Sequence, residues 1–188
     1  MSQPDRAVLS FLSRRRSSPP RILTGPPPSR DEVIELLRIA ARVPDHGKLA
    51  PWRFVVLEPA TLDRLAPLLA EHVAASGGDE AAVEKARSAL ASPSVVAVVL
   101  SPVDSPKVPE WEQALSAGAV AMQLLNAALA SGWGGAWLTG PAADPAFAGP
   151  HLGLAPHERV VALIHLGRAA NPAPDRPRPD IAARTVFL

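Results

Sequence analysis

The sequence predicts an α+β fold, a mixed central β-sheet surrounded by helices. Three observations lead there. Runs of strand length rich in apolar and β-branched residues recur at Trp52–Leu57, Val95–Leu100 and Glu158–Leu166. Segments with apolar residues at helical spacing separate them. The resulting order is helix, helix, strand, two helices, strand, long helix, strand, strand, which lacks the regular alternation of a doubly wound fold.

Each element has a local cause. Asp5 to Arg16 carries Val8, Leu9, Phe11 and Leu12 at helical spacing and closes on arginines, which suit the negative end of a helix dipole. Pro19-Pro20 and Pro26-Pro27-Pro28 bound an extended linker. Ser29-Arg30-Asp31-Glu32 is a capping-box pattern, and the helix it opens buries Val33, Ile34, Leu36, Leu37 and Ala40 before stopping ahead of Pro44. Thr61 is the expected cap of a helix to about Ala75, which Gly77-Gly78 breaks. Glu80–Leu90 reads as a further helix. Val95–Leu100 is continuously apolar, the signature of a strand buried on both faces. Glu110–Ser131 forms a long helix, apolar nearly all round, so it is expected at the centre or with one face in a partner subunit. Gly132–Gly140 is a short glycine-rich strand or turn. From about Ala169 a proline-rich tail runs along the surface.

Composition bounds the function. The 188 residues suit one domain, residues 1–188. A formal net charge of +1 gives no basic field for nucleic acid. The absence of cysteine excludes disulfides, thiolate metal sites, iron–sulfur clusters and cysteine nucleophiles. No apolar run approaching the roughly 20 residues of a membrane span is expected, and the order of charge and apolar residues at the start is not that of a signal peptide. The expected location is the cytoplasm, with no membrane partner.

Three segments could carry chemistry. Arg14-Arg15-Arg16-Ser17-Ser18 offers the charge and forked donors that a phosphate monoester needs; a solvated helix end is the competing reading. In Arg42–Phe54, the side chains of Arg42, His46 and Lys48 could hold the polar edge of a planar ligand on a proline-stiffened loop. Adjacent Asp45 and His46 diverge, which disfavours a metal site. In Gly132–Gly140, paired glycines either admit a flat ligand or let a strand pass beneath a crossing helix, and Trp133 and Trp137 offer wall surface. Dinucleotide, phosphate-loop and nucleophile-elbow motifs are absent. His165, in an apolar strand, reads as a core residue.

Taken in order, these segments resemble the nitroreductase family of FMN-dependent oxidoreductases, in particular its compact members. The matching stretches are Arg15-Arg16-Ser17, Arg42-Val43-Pro44-Asp45-His46 with Pro51-Trp52-Arg53-Phe54, Lys107–Gln113 before Ser116-Ala117-Gly118, Gly134-Gly135-Ala136-Trp137, and Leu166-Gly167. The resemblance implies a homodimer with FMN at the subunit interface. By position it assigns Arg15, Arg16 and Ser17 to the FMN phosphate and ribityl chain, Arg42 and His46 to FMN contacts with Lys48 assisting, and Trp137, Leu138 and Thr139 to the isoalloxazine. A late arginine reaching the phosphate could be Arg168, Arg176 or Arg178. Ser18-Pro19-Pro20 departs from the pattern by separating the Arg-Ser pair from Arg21. The implied reaction takes hydride from NADH or NADPH to flavin N5, then to a nitroaromatic, quinone or similar small-molecule acceptor, with ping-pong kinetics and no metal or side-chain nucleophile. A flavin-binding protein of the same fold without this turnover, serving flavin storage or modification, is the alternative. A nucleic-acid module using Arg14–Arg16 is the third reading, opposed by the near-zero net charge.

Overall fold

The computed structural model describes residues 3–171 and 173–188; within the expected tail, Pro172 lies outside the described residues. The helices are α1 (Arg6–Arg14), α2 (Arg30–Ala40), α3 (Pro59–Ala75), α4 (Glu80–Ser88), α5 (Glu110–Ala130) and α6 (Pro145–Leu152). The strands are β1 (Trp52–Leu57), β2 (Ser94–Leu100), β3 (Gly134–Leu138) and β4 (Arg159–Gly167). They form one sheet in the order β1-β2-β4-β3. The α+β class is as expected, but all three pairings are antiparallel, not mixed. Burial on both faces, which reads as a parallel-sheet signal, arises here because helices cover both sides of an antiparallel sheet.

Alternation along β2 and β4 sorts the core into two layers. Val96, Val98, Ile164 and Leu166 face α2 and α5, meeting Leu36, Val120, Leu124 and Leu125. Val95, Ala97, Val99 and Leu163 face α3, α4 and α6, meeting Leu62, Leu65, Leu69 and Phe147. A one-residue slip of β2 would exchange these two sets, so the core fixes the register. Helix α5 packs on α2, β2, β3 and β4. With 21 residues it is, by length and composition, long and apolar enough to cross a membrane, contrary to the sequence expectation. Its buried stripe, Val120 through Ala128, lies in the core instead.

Several boundaries differ from expectation for identifiable reasons. Helix α1 ends at Arg14, two residues early, and Arg15 begins an extended segment. The capping box of α2 forms, with the Ser29 amide donating to Glu32 at 2.8 Å. Helix α3 starts at Pro59, not after Thr61, because proline's missing N–H costs nothing at the first helical position. Helix α6 lies in a stretch for which the sequence reading names no element, and it forms despite Gly149 and Pro150 within it. Asp144 caps it by accepting from the Ala146 amide at 3.0 Å, and Gly153 ends it at φ 66°. The tail is exposed and largely extended, with one short turn at Ala182–Arg184.

Candidate functional site

The chain leaving α1 runs along the free edge of β3. The Ser18 amide donates to the Gly135 carbonyl at 2.9 Å, and Thr24 and Arg168 exchange two backbone hydrogen bonds at 2.9 and 2.8 Å. This path opens two pockets. The first, about 340 Å³, is lined by Arg14, Arg15, Arg16, Ser18, Trp133 and Gly134, among others. The second, about 610 Å³, includes Pro20, Arg21, Lys85, Leu138, Thr139 and Gly140. Gly134 and Leu138 are the two ends of β3, so the pockets lie about 14 Å apart along that strand.

The first pocket is cationic. Arg14 turns back onto its helix, its Nε donating to Ser10. Arg15 is half-buried; its Nη2 makes a long 3.5 Å contact with Ser17 Oγ, and its Nε is buried without a partner. Burial, followed by the neighbouring charges of Arg178 and Arg16, holds the Arg15 guanidinium below its ordinary pKa. Arg16 donates to the Pro174 carbonyl and to Asp175 Oδ1, the latter at 3.1 Å. Arg178 donates to the same Asp175 oxygen at 3.0 Å. Of the three late arginines, Arg178 thus joins the cluster. Arg168 lies 3.8 Å over the Trp133 ring, a cation–π contact. The Arg15 Nε thus keeps an unsatisfied donor in a pocket of like charges.

The glycine pair has a structural cause. A Cβ on Gly134 would meet Ala169 at 2.7 Å and Leu23 at 2.8 Å; on Gly135 it would meet the His165 carbonyl at 3.0 Å and Leu125 at 3.1 Å. These glycines admit close protein packing, including α5, and not a flat ligand. Trp133 is buried, and Trp137 packs partly against the α5 core layer. Leu138 and Thr139 are exposed at the rim of the second pocket. Arg21, carried past the two prolines by a turn at Pro20–Ile22, reaches that same pocket.

The remaining predicted residues lie elsewhere. Arg42 and Lys48 are exposed, and among the described residues neither forms an ion pair. His46 Nδ1 lies 2.6 Å from Glu112 Oε2, in the first turn of α5. The arginine pocket contacts Leu129, near the other end of α5. At 1.5 Å per residue, Glu112 and Leu129 are separated by about 25 Å. Within one chain the structure therefore brings together Arg15, Arg16 and Ser17, places Trp137, Leu138 and Thr139 at the far end of β3, and keeps His46 apart from the arginine pocket.

The loop holding His46 is tightly organised. Asp45 accepts from the Leu49 and Ala50 amides at 3.2 and 2.7 Å. Ser116 Oγ donates to the Pro44 carbonyl at 2.9 Å and accepts from Trp52 Nε1 at 3.3 Å. Sequence reasoning missed Glu112, Ser116, Asp175 and the choice of Arg178. Glu112 and Ser116 lie within the family-like segments, but nothing in the sequence points them at His46 and Pro44. Elsewhere, His165 is a core residue as expected, with Nδ1 2.8 Å from Ser92 Oγ.

A cationic pocket and a larger open pocket thus lie at the two ends of β3 on an α+β scaffold. The chain belongs to the nitroreductase family, whose model matches residues 12–168. It is 34% identical over 161 residues to "Putative NAD(P)H nitroreductase YdjA" of Escherichia coli (strain K12), covering 85% of this chain and 87% of that one. Its fold is similar to that of a nitroreductase-like family protein from Bacillus cereus, with TM-score 0.78, 21% identity and coverage of 100% and 99% of the two chains. It is also similar to a nitroreductase with bound FMN from Bacteroides fragilis NCTC 9343, with TM-score 0.72, 20% identity and coverage of 96% and 98%.

Proposed function

We propose that this chain, folded as one domain and paired with a second copy, is a cytoplasmic FMN-dependent oxidoreductase using NADH or NADPH. The observation that carries this reading is the pair of pockets about 14 Å apart along β3. The cationic one suits a phosphate, and the larger, mainly apolar one suits a ring system. The partnerless Nε of Arg15 gives the phosphate a donor that is otherwise unsatisfied. Arg16, Ser17 and Arg178 complete that end. At the other end Leu138 and Thr139 stand exposed on the pocket rim, with Trp137 beside them on β3. When bound, FMN supplies acceptance of hydride from the nicotinamide and its transfer to a nitroaromatic, quinone or similar acceptor.

The distance along α5 supports the second copy. His46 is too far from the arginine pocket to share one FMN with it inside a single chain, so it and Arg42 serve the partner's flavin. Apolar side chains available for such pairing stand exposed on α1, at Val8, Leu9 and Leu12, and on α5, at Trp111 and Leu115. Positive charge from Arg42 would then favour a reduced, anionic flavin. The test is steady-state oxidation of NADH and NADPH by FMN-loaded protein with a nitroaromatic or quinone. Parallel double-reciprocal lines are expected. Retained flavin without turnover on a broad acceptor panel would overturn the oxidoreductase reading.

A further inference from the structure

The contact between His46 and Glu112 joins residues 66 positions apart across a short 2.6 Å separation. Glu112 stands in the first turn of α5, where the helix dipole favours a carboxylate. An ionised carboxylate only accepts hydrogen bonds, so the proton in this contact resides on Nδ1. Nε2 is left without a hydrogen-bond partner among the described residues, on a ring that is 59% exposed.

The surrounding backbone is unusually constrained for an exposed turn. Gly47 adopts φ 75°, and the non-glycine residues Lys48 and Ala50 adopt φ 55° and 45°. Such conformations cost energy and persist where neighbouring contacts over-determine them, often at ligand clamps. Here the Asp45 carboxylate and the Ser116 hydroxyl hold the two flanks of the turn. Glu112 adds the hold on the imidazole itself. The turn is thus fixed in backbone and in side chain, while the outward Nε2 has no hydrogen-bond partner among the described residues.

We propose that Glu112 is a positioning residue, which sets the Nδ1–H tautomer of His46 and presents Nε2 to the hydrogen-bonding edge of the flavin held by a second copy. This rests on the FMN reading above. No proton needs to leave Glu112, and Glu112 itself need not touch the ligand. A directed single atom on a fixed ring loses little freedom on binding, which is where the affinity would come from.

The test compares Glu112→Ala, Glu112→Gln and His46→Ala in the full-length protein. The Gln amide oxygen can still accept from Nδ1–H, so the conservative variant should rescue. FMN titration should show about five- to tenfold weaker binding for Glu112→Ala and near-native binding for Glu112→Gln. Adding Glu112→Ala to His46→Ala should cost nothing further, since the two act as one unit. Independently of any flavin, nitrogen-15 spectra should place the His46 proton on Nδ1 in the native and Gln proteins and shift it toward Nε2 in the Ala variant. Unchanged FMN affinity in Glu112→Ala, a full loss that persists without His46, or a native Nε2–H tautomer would each overturn the proposal. Native protein that shows the expected tautomer but binds no FMN would overturn the flavin reading, and the flavin-directed role of Glu112 with it, while leaving its hold on the His46 ring intact.

Discussion

Arg16 and Arg178, from opposite ends of the chain, share one carboxylate oxygen, Oδ1 of Asp175, at 3.1 and 3.0 Å. The carboxylate gathers two guanidiniums beside the Arg15 pocket and partly cancels their charge. An arriving phosphate competes with it. Asp175→Asn is therefore expected to tighten FMN about two- to fivefold, most clearly at low salt, where exposed charges are least screened. Fluorescence titration at two ionic strengths measures this. Weaker binding in the variant would mean that Asp175 organises the cluster more than it competes.

Arg16→Ala removes a charged donor from the same pocket. Flavin affinity should fall about tenfold to a hundredfold, the range for hydrogen bonds between charged groups. Because a ligand held between two copies stabilises their association, dimer dissociation should rise in parallel when FMN is present. Flavin retained after desalting, together with sedimentation analysis, reports both effects. Unchanged flavin content would count against the phosphate assignment.

Arg53 grips both oxygens of Glu158 through Nε at 2.7 Å and Nη2 at 2.6 Å. Hydrogen bonding from Arg53 leads the causes that pull the Glu158 carboxyl from 4.5 to about 2. The folded-state value is depressed, so this stabilisation is complete above about pH 4.5 and drains away as pH falls toward 2. Glu158→Gln should cost about 1–3 kcal/mol at neutral pH and flatten the loss of stability in that acid window. Urea midpoints measured from pH 7 down to pH 3 check the slope.

His165 acts in a higher window. Burial lowers its pKa from 6.5 to about 4. The unfolded chain takes up this proton near pH 6.5 and the folded chain does so only near pH 4, so stability is greatest above 6.5 and declines between 6.5 and 4. His165→Gln should remove this part of the slope while leaving the Glu158 window unchanged. An identical pH profile in the variant would show that His165 does not titrate as a buried ring.

Much of the fold was legible because its signals are local. The Ser29–Glu32 capping box, the Val95–Leu100 run and the long apolar helix each announce themselves within a few residues. Strand direction was not legible, since Val-rich burial looks alike in a parallel sheet and in an antiparallel sheet covered twice. Helix α6 hid behind Pro145 and Pro150, where a good cap at Asp144 outweighed the breakers. The site was legible in its cations but not in its grouping. Arg15, Arg16 and Ser17 adjoin in sequence and in space, whereas the relation of His46 to Glu112 depends on tertiary packing over 66 residues. The glycine pair was open to two readings, because a close approach by Leu23 and Leu125 leaves the same sequence trace as a close approach by a ligand.

The arginine pocket and the edge of β3 are the proposed seat of FMN. The absorption spectrum of the purified protein, after reconstitution with FMN and removal of excess ligand, tests it most directly. The native protein should be yellow, with flavin bands at near one FMN per chain, and Arg16→Ala should lose them. A colourless native protein after the same treatment would contradict it.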